Sequence, residues 1–300
     1  MDNKASPLVS IVTPSYNQGQ FIEETILSVR NQTYTNIEHI VIDGGSNDGT
    51  LDILRKYGDC IIWISEPDDG QSDAINKGWR MSKGEILAYL NSDDTYMPWA
   101  VETAVRFLTE NPNIGMVYGK CNVINESSSV IDEITGSQFD LRETLLYMRH
   151  GVPQPTAFFR REVVEEVGYL DTNLNMAMDL DLWIRISLKF QMKYISKLLA
   201  NFRICPGTKT VSQGYKFERE HLYILNKTSS NPELPYTART LKRQAYSWSY
   251  LRAGLSYLSR HQKVKALKLI AKSVQFHPWP LIDTSAKYLL EKAAKRTRNQ

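Results

Sequence analysis

Cysteine is scarce in this chain of 300 residues, which contains only Cys60, Cys121 and Cys205. Their odd number and wide spacing exclude a C-x-x-C motif and argue against a disulfide framework, so we interpret them as reduced packing residues. No run approaches the roughly twenty apolar residues that a membrane-spanning helix needs. The first residues also lack the apolar core of a signal peptide, so the sequence predicts a cytoplasmic protein.

Two common nucleotide-binding motifs are also missing. The chain contains neither the G-x-G-x-x-G fingerprint of dinucleotide-binding proteins nor the G-x-x-x-x-G-K-[ST] loop of ATPases. In both motifs, glycines let the backbone approach phosphate groups closely. Their absence weakens the hypotheses that the protein binds NAD or hydrolyses ATP.

Acidic residues are rare in the last third of the chain. Residues 201–300 carry 19 Lys and Arg against 5 Asp and Glu, whereas residues 1–200 carry 17 against 28. This asymmetry predicts an acidic body with a basic C-terminal region that faces an anionic partner. An anionic membrane surface, a nucleic acid and the acidic body itself all remain open as that partner. The membrane hypothesis depends on Lys263, Lys265, Lys268 and Lys272.

The first 120 residues alternate strand and helix patterns, as is typical of α/β folds with a parallel sheet. Strands are predicted at Leu8–Thr13, ended by Pro14, and at His39–Ile42, Cys60–Ser65 and Glu85–Leu90. Further along, the patterns predict a helix over Asp179–Phe190, two edge strands within Met192–Ile204, a mobile lid over Cys205–Gly214 and an antiparallel helix pair after Thr237. We therefore predict an α/β domain over residues 1–215 and a basic helical region over residues 216–300.

Polar residues follow three of the predicted strands, where an open α/β sheet binds its ligands. After the first strand, Tyr16 offers a flat face on which a base can stack. After the second, Asp43 can accept hydrogen bonds from a base or ribose. Asp93 and Asp94 follow the fourth and carry charge suited to Mg²⁺ or Mn²⁺. A solvated acidic turn is the alternative for these two residues taken alone, but the convergence of three strand ends predicts a site for a nucleoside diphosphate.

Several motifs in this order resemble family 2 glycosyltransferases of the GT-A fold. They comprise Thr13-Pro14-Ser15-Tyr16-Asn17, Val41 to Thr50, Ala74-Ile75-Asn76-Lys77-Gly78, Leu90-Asn91-Ser92-Asp93-Asp94 and Met178 to Arg185. The resemblance covers roughly residues 8–205. It implies a Rossmann-like, mostly parallel sheet flanked by helices, and transfer of a sugar from a nucleotide-diphosphate sugar with inversion of the anomeric centre.

The resemblance also implies roles for individual residues. Tyr16 and Asp43 would hold the nucleobase and ribose, Asp93 and Asp94 would contact the ribose and the metal-diphosphate, and Asp179 would be the catalytic base. The remaining predicted donor contacts are Pro14, Ser15, Gln71, Asp73 and, from the lid, Lys209. Gln154 is a candidate for the acceptor side, although its neighbouring proline also explains a structural turn.

Three positions depart from the pattern of the family. Gly44 stands where many members have a second Asp, which leaves uracil recognition open, while Asn91 and Met178 replace acidic residues. The Q-x-x-R-W signature of processive synthases is absent, so we predict addition of one sugar to a glycan or lipid-linked acceptor in cell-surface polysaccharide or glycolipid synthesis. A non-catalytic binding protein and a sugar nucleotidyltransferase remain alternatives. Binding of nucleic acid is not expected.

Overall fold

The computed structural model describes residues 6–206, 208–209, 216–258 and 260–277. Within them the chain is an α/β protein built on one mixed sheet. Its strands are β1 Val9–Ser15, β2 Ile37–Asp43, β3 Ile62–Ser65, β4 Ile86–Tyr89, β5 Thr95–Tyr96, β6 Ile114–Ile124, β7 Val130–Ile134, β8 Phe158–Arg160 and β9 Gln191–Arg203. The helices are α1 Ile22–Arg30, α2 Thr50–Lys56, α3 Gln71–Met81, α4 Ala100–Glu110, α5 Leu141–Tyr147, α6 Arg161–Val167, α7 Met178–Lys189, α8 Phe217–Ser229, α9 Tyr236–Arg239, α10 Lys242–Leu258 and α11 Lys263–Phe276.

The strand order β3-β2-β1-β4-β8-β6-β9-β5 places the predicted ligand-binding strands side by side. The first four strands of this order are parallel, and in them Ser15 pairs with Asp43, which pairs with Ser65. The carboxyl ends of β1, β2 and β3 therefore lie at one edge of the sheet, which is where an open α/β sheet binds ligands. The predicted α/β fold with a Rossmann-like parallel portion is confirmed.

Two strand predictions were wrong. Pro14 does not end β1, which continues to Ser15. β1 pairs with β4 only as far as Val12, so at Pro14 its single neighbour is β2. The missing N–H of the proline therefore breaks no hydrogen bond to a second strand. Met192–Ile204 does not hold two edge strands either, because Gln191–Arg203 is one long strand between β6 and β5.

The core of the sheet is made by apolar strands covered by helices. Val9, Ile11 and Ala88 are completely buried, and α3 packs Trp79 against the same sheet with its indole ring at 74° to the ring of Tyr89. Alternation of such strands with amphipathic helices is what the sequence pattern predicts for a sheet covered on both faces. The core thus fixes the strand ends that carry the polar residues.

The described residues form two compact units. The first contains those of Met1–Phe139 and Gly151–Ser212, and the second contains those of Asp140–His150 and Gln213–Gln300. In the second unit, α10 and α11 run antiparallel, because Ser247 of α10 donates to the Ser273 carbonyl while Gly254 lies against Ile270. The predicted helix pair is therefore present.

Parts of two predicted segments lie outside the described residues. These are residues 207 and 210–214 of the predicted lid and the basic tail beyond residue 277. Among the described residues, no helix has the length and apolar character needed to cross a membrane.

His39 on β2 is expected to make the protein less stable in acid. Burial lowers the pKa of this imidazole to about 4 from 6.5, while its Nε2 lies 2.9 Å from Thr13 Oγ1. The unfolded chain therefore binds more protons between these two values, so the free energy of unfolding falls as the pH falls through that window. Between pH 7 and pH 5, this residue alone should remove about 2 kcal/mol.

Urea unfolding at both pH values measures this loss. His39→Gln keeps a polar group near Thr13 but cannot gain a proton, so its stability should vary less with pH than that of the wild type. Equal pH dependence of the two proteins would show that His39 is not responsible.

Candidate functional site

A chain of hydrogen bonds joins polar side chains from four separate segments at the end of β4. Lys209 Nζ donates to Gln71 Oε1 at 2.9 Å, and Gln71 Nε2 donates to Asn91 Oδ1 at 2.7 Å. Asn91 Nδ2 in turn lies 3.1 Å from Gln154 Oε1 and 3.2 Å from Asp94 Oδ2. The start of α3, the loop after β4, the turn before β8 and the segment after β9 therefore meet at one place.

The adjacent acids after β4 carry negative charge that is poorly solvated. Asp94 is completely buried, and both burial and the charge of Asp93 raise its pKa well above the usual range. Burial also raises the pKa of Asp93, which is half-buried. Both carboxyls would ionise more readily beside a cation, which makes their oxygens suitable ligands for one.

Arg203 at the end of β9 holds the loop of Asp93 and Asp94 in place, a role that was not predicted from the sequence. Its side chain is completely buried, and Nε donates to the Asp93 carbonyl at 2.8 Å while its backbone N–H donates to Asp94 Oδ1 at 2.9 Å. The guanidinium also donates to the Asn125 carbonyl at 2.8 Å and to Glu24 Oε2 at 2.5 Å. The available signal was an arginine at the end of the segment Leu198-Leu199-Ala200-Asn201-Phe202.

Asp43, at the end of β2, organises the turn that follows it. Its buried carboxylate accepts the backbone N–H of Gly45 at 3.1 Å and that of Ser46 at 2.9 Å. The hydroxyls of Ser46 and Ser65 also donate to it, at 2.5 and 2.7 Å. Three of these four bonds reach Oδ2, and the Ser46 hydroxyl alone donates to Oδ1, so Oδ1 can accept a further donor. Its predicted contact with a base or ribose stays a prediction.

The end of β1 presents an exposed aromatic ring beside this turn. Tyr16 is 61% exposed, whereas Pro14 and Ser15 are buried. The Ser15 hydroxyl is buried without a hydrogen-bond partner among the described residues, and its carbonyl accepts the N–H of Gly44 at 2.8 Å. The predicted donor contacts Pro14, Ser15 and Tyr16, at and just after the end of β1, therefore lie next to the turn after β2.

The predicted donor contacts on α3 lie in its first turn. Gln71 belongs to the hydrogen-bonded chain described above, together with Lys209. Asp73 is half-buried two residues further on, and its carboxylate lies 3.4 Å from the backbone nitrogen of Asp69. Asp73 makes no described hydrogen bond to that network. Its described contact is with the loop before α3, and its role as a donor contact stays a prediction.

Asp179 lies in the first turn of α7, far along the chain from β4. Its half-buried carboxylate accepts the N–H of Leu180 at 2.8 Å. Burial raises the pKa of Tyr89 well above its usual range, and the charges of Asp179 and Asp94 add to this effect. The charges of Asp179 and Asp94 thus both act on the buried phenol of Tyr89. Its hydroxyl has no hydrogen-bond partner among the described residues.

The structure therefore brings together most of the residues that the sequence singled out. Gln71, Asn91, Asp94, Gln154 and Lys209 share one network, with Asp93 adjacent to it. Tyr16 and Asp43 form a second group at the ends of β1 and β2, which are neighbours of β4 and β3 in the sheet. The two groups lie along the same edge of the sheet, at the carboxyl ends of its parallel strands. An elongated ligand such as a nucleoside diphosphate could contact both groups.

Comparison with known proteins shows that this sequence is similar to glycosyltransferases. A sequence profile described as Glycosyl transferase family 2 matches residues 10–168. An uncharacterized glycosyltransferase of Rickettsia prowazekii is 29% identical over 83% of this chain and 84% of its own length. Another, from Mycobacterium tuberculosis, is 32% identical over 66% of this chain and 76% of its own length.

Solved structures share the fold at lower identity. S. aureus TarS 1-349 in complex with UDP-GlcNAc matches with a TM-score of 0.67 and 16% identity, over 97% of this chain and 89% of that one. The mannosyltransferase PcManGT from Pyrobaculum calidifontis, in complex with GDP-Man and Mn²⁺, matches with a TM-score of 0.61 and 19% identity over 98% and 88%. The match to a longer crystal structure of S. aureus TarS covers 54% of that chain. These likenesses show a GT-A type of fold.

Proposed function

Because the chain belongs to glycosyl transferase family 2, we propose that it transfers a single sugar from a nucleotide-diphosphate sugar to an acceptor hydroxyl, with inversion of the anomeric centre. The observation that carries this proposal is the hydrogen-bonded chain from Lys209 through Gln71 and Asn91 to Asp94 and Gln154. It gathers four segments at the sheet edge where α/β proteins bind ligands. Sugar nucleotides in two solved structures of this fold support the same donor class.

The donor would lie along the ends of the parallel strands. Its nucleoside would occupy the space beside Tyr16, whose exposed ring offers a stacking face. Its diphosphate would lie near Asp93 and within reach of Lys209, whose ammonium already points into the network through Gln71. The other proposed contacts are Pro14, Ser15, Asp43 and Asp73.

A divalent cation, Mg²⁺ or Mn²⁺, would be held by Asp93 and Asp94. The donor set fits such an ion, because both groups offer oxygen ligands and a cation beside them would favour the ionised forms that burial disfavours. The described residues contain no cluster of three or more metal-ligating side chains, so the diphosphate and water would complete the coordination. When bound, the ion would supply charge compensation for the departing diphosphate, worth several kcal/mol.

Asp179 would act as the general base. It is half-buried at the first turn of α7, and its charge contributes to the raised pKa of Tyr89, as the charge of Asp94 does. The carboxylate would accept the proton of the acceptor hydroxyl as this oxygen attacks the anomeric carbon and the bond to the diphosphate breaks. Such assistance is worth about two to four orders of magnitude in rate.

Slow hydrolysis of the donor tests the activity without knowledge of the acceptor. We expect the protein to release nucleoside diphosphate from UDP-, GDP- or dTDP-sugars when Mg²⁺ or Mn²⁺ is added. Conversion of the donor to a nucleoside triphosphate and a sugar 1-phosphate, only when pyrophosphate is added, would point instead to a nucleotidyltransferase. No turnover of any donor, in the presence of donor binding, would point to a binding protein.

The acceptor would be a glycan or a lipid-linked glycan in cell-surface polysaccharide or glycolipid synthesis, reached from an anionic membrane surface. Helix α11 supports this part of the proposal because it exposes Val264 at 68% and Leu267 at 66% beside exposed lysines. Apolar side chains next to basic ones are typical of helices that lie on anionic lipid. The lysines are Lys263, Lys265, Lys268 and Lys272.

Co-sedimentation with vesicles of mixed neutral and anionic lipid measures this attachment. The full chain should pellet with anionic vesicles and remain soluble with neutral ones. Val264→Ser combined with Leu267→Ser should lower the bound fraction severalfold, because both side chains are exposed and add little to folding. Equal pelleting of the variant and the wild type would contradict the membrane role of α11.

A further inference from the structure

The hydrogen-bond chain at the end of β4 has two ends whose chemical roles are fixed. At one end the Lys209 ammonium can only donate, and it donates to Gln71 Oε1 at 2.9 Å. At the other end the backbone carbonyl of Tyr89 can only accept, and Gln154 Nε2 donates to it at 3.0 Å. Asn91 joins the two glutamines, so three side-chain amides connect an ammonium to the backbone of β4.

These two ends determine which way each amide points. Gln71 uses its oxygen for Lys209, so its nitrogen donates to Asn91 Oδ1 at 2.7 Å. Asn91 then donates from Nδ2 to Gln154 Oε1 at 3.1 Å, which leaves the Gln154 nitrogen for the carbonyl of Tyr89. Exchanging the oxygen and nitrogen of any one amide would set two donors or two acceptors against each other. All the bonds of the chain therefore run in one direction, from Lys209 towards β4.

Asn91 is the member of this hydrogen-bond chain that a carboxylate cannot replace. It accepts from Gln71 and donates to Gln154, and its Nδ2 also lies 3.2 Å from Asp94 Oδ2. An ionised carboxylate at residue 91 would still accept from Gln71, but it would set an oxygen against the oxygens of Gln154 and Asp94. The hydrogen-bond chain thus gives a physical reason for an amide at a position where the family that the sequence resembles usually has an acid.

Resting on the proposed function, we infer that Asn91 is a positioning residue that holds Lys209, through Gln71, where the ammonium contacts the diphosphate of the donor. An ammonium carries three donors, so Lys209 can keep its bond to Gln71 while it donates to a phosphate oxygen. Ordering a lysine side chain costs conformational entropy. The hydrogen-bond chain pays this cost before the donor binds, which strengthens binding.

Titration calorimetry with UDP and Mg²⁺ tests this inference, and GDP replaces UDP if the wild type binds GDP more tightly. Lys209→Met should lower the affinity at least about tenfold, because a charged hydrogen bond to phosphate is lost. Asn91→Asp should lower it at least about threefold, because Lys209 is no longer held. Lys209→Met combined with Asn91→Asp should bind no more weakly than Lys209→Met alone, because Asn91 acts through the lysine.

Two further variants separate the loss of the hydrogen-bond chain from the added charge of Asn91→Asp. Gln71→Leu breaks the chain at the neighbouring link and adds no carboxylate. It should lower the affinity as Asn91→Asp does, and again only when Lys209 is present.

The matched control for the added charge is Asn122→Asp on β6. It introduces the same carboxylate and breaks a similar bond between two amides, since Asn122 Nδ2 donates to Asn201 Oδ1 at 2.9 Å. Because Asn122 has no described hydrogen bond to the chain from Lys209, this variant should keep the affinity within about twofold of the wild type. Melting temperatures show whether each variant is folded.

The outcomes separate this inference from the proposed function. If the wild type binds a nucleoside diphosphate and Asn91→Asp binds it equally well, Asn91 does not position Lys209 and the proposed function stands. The same conclusion follows if Asn91→Asp or Gln71→Leu weakens binding to the same extent with and without Lys209. If the wild type binds no nucleoside diphosphate, both proposals fail.

Discussion

Asp179→Asn is expected to lower the rate of sugar transfer by about two to four orders of magnitude while donor affinity stays within about twofold of the wild type. The amide oxygen of asparagine can still accept the Leu180 N–H that Asp179 accepts at 2.8 Å, so the start of α7 should keep its structure. Only the ability to take a proton is lost. Transfer rates under saturating donor and donor dissociation constants measure the two quantities.

Asp181→Asn is the matched control, two residues along the same helix. Asp181 is buried and paired with Arg185, with 2.9 Å between Oδ2 and Nε, so its substitution should lower the melting temperature and leave the rate of the folded enzyme nearly unchanged. A normal rate in Asp179→Asn, or an equal loss of rate in both variants, would contradict the assignment of Asp179 as the base.

Arg203→Met is expected to weaken both the fold and donor binding. The side chain is completely buried and donates to the Asp93 and Asn125 carbonyls and to Glu24. Methionine fills a similar volume but leaves these acceptors without their donor, which should destabilise the protein by about 3 kcal/mol. The charge of Arg203 also opposes the rise that burial causes in the pKa of Asp93. Donor affinity in Mg²⁺ should therefore fall at least about tenfold.

Arg160→Met separates the two effects. Arg160 also donates to backbone carbonyls, at 3.0 Å to Ile114 and 2.5 Å to Leu108, and none of its described hydrogen bonds reaches the acidic loop. This control should lose stability and keep its donor affinity. Urea unfolding and calorimetry on the three proteins make the comparison. Donor affinity that is unchanged in Arg203→Met would show that Arg203 supports the fold alone.

The strand ends were predictable from the sequence because they depend on local patterns. Apolar runs such as that of β4, followed at once by polar residues such as Asn91 and Asp93, mark where a buried strand leaves the sheet. Parallel strands bring such ends to one edge, so the meeting of Gln71, Asn91 and Asp94 followed from the order of elements.

The contacts between distant segments were not predictable in the same way. The pairing of β9 with both β6 and β5 joins residues far apart in sequence, and nothing in its local pattern distinguishes one long internal strand from two edge strands. The burial of Arg203 follows from that pairing. Likewise, the hydrogen bond from the Ser65 hydroxyl to Asp43 depends on the pairing of β3 with β2.

The position of Mn²⁺ in crystals grown with UDP tests the proposed donor site most directly, because anomalous scattering locates the ion independently of how the nucleotide is placed. We expect one Mn²⁺ beside Asp93 and Asp94 that contacts the diphosphate, with the uracil ring beside Tyr16. A Mn²⁺–UDP complex bound away from these residues, or a nucleoside remote from the ends of β1 and β2, would contradict it.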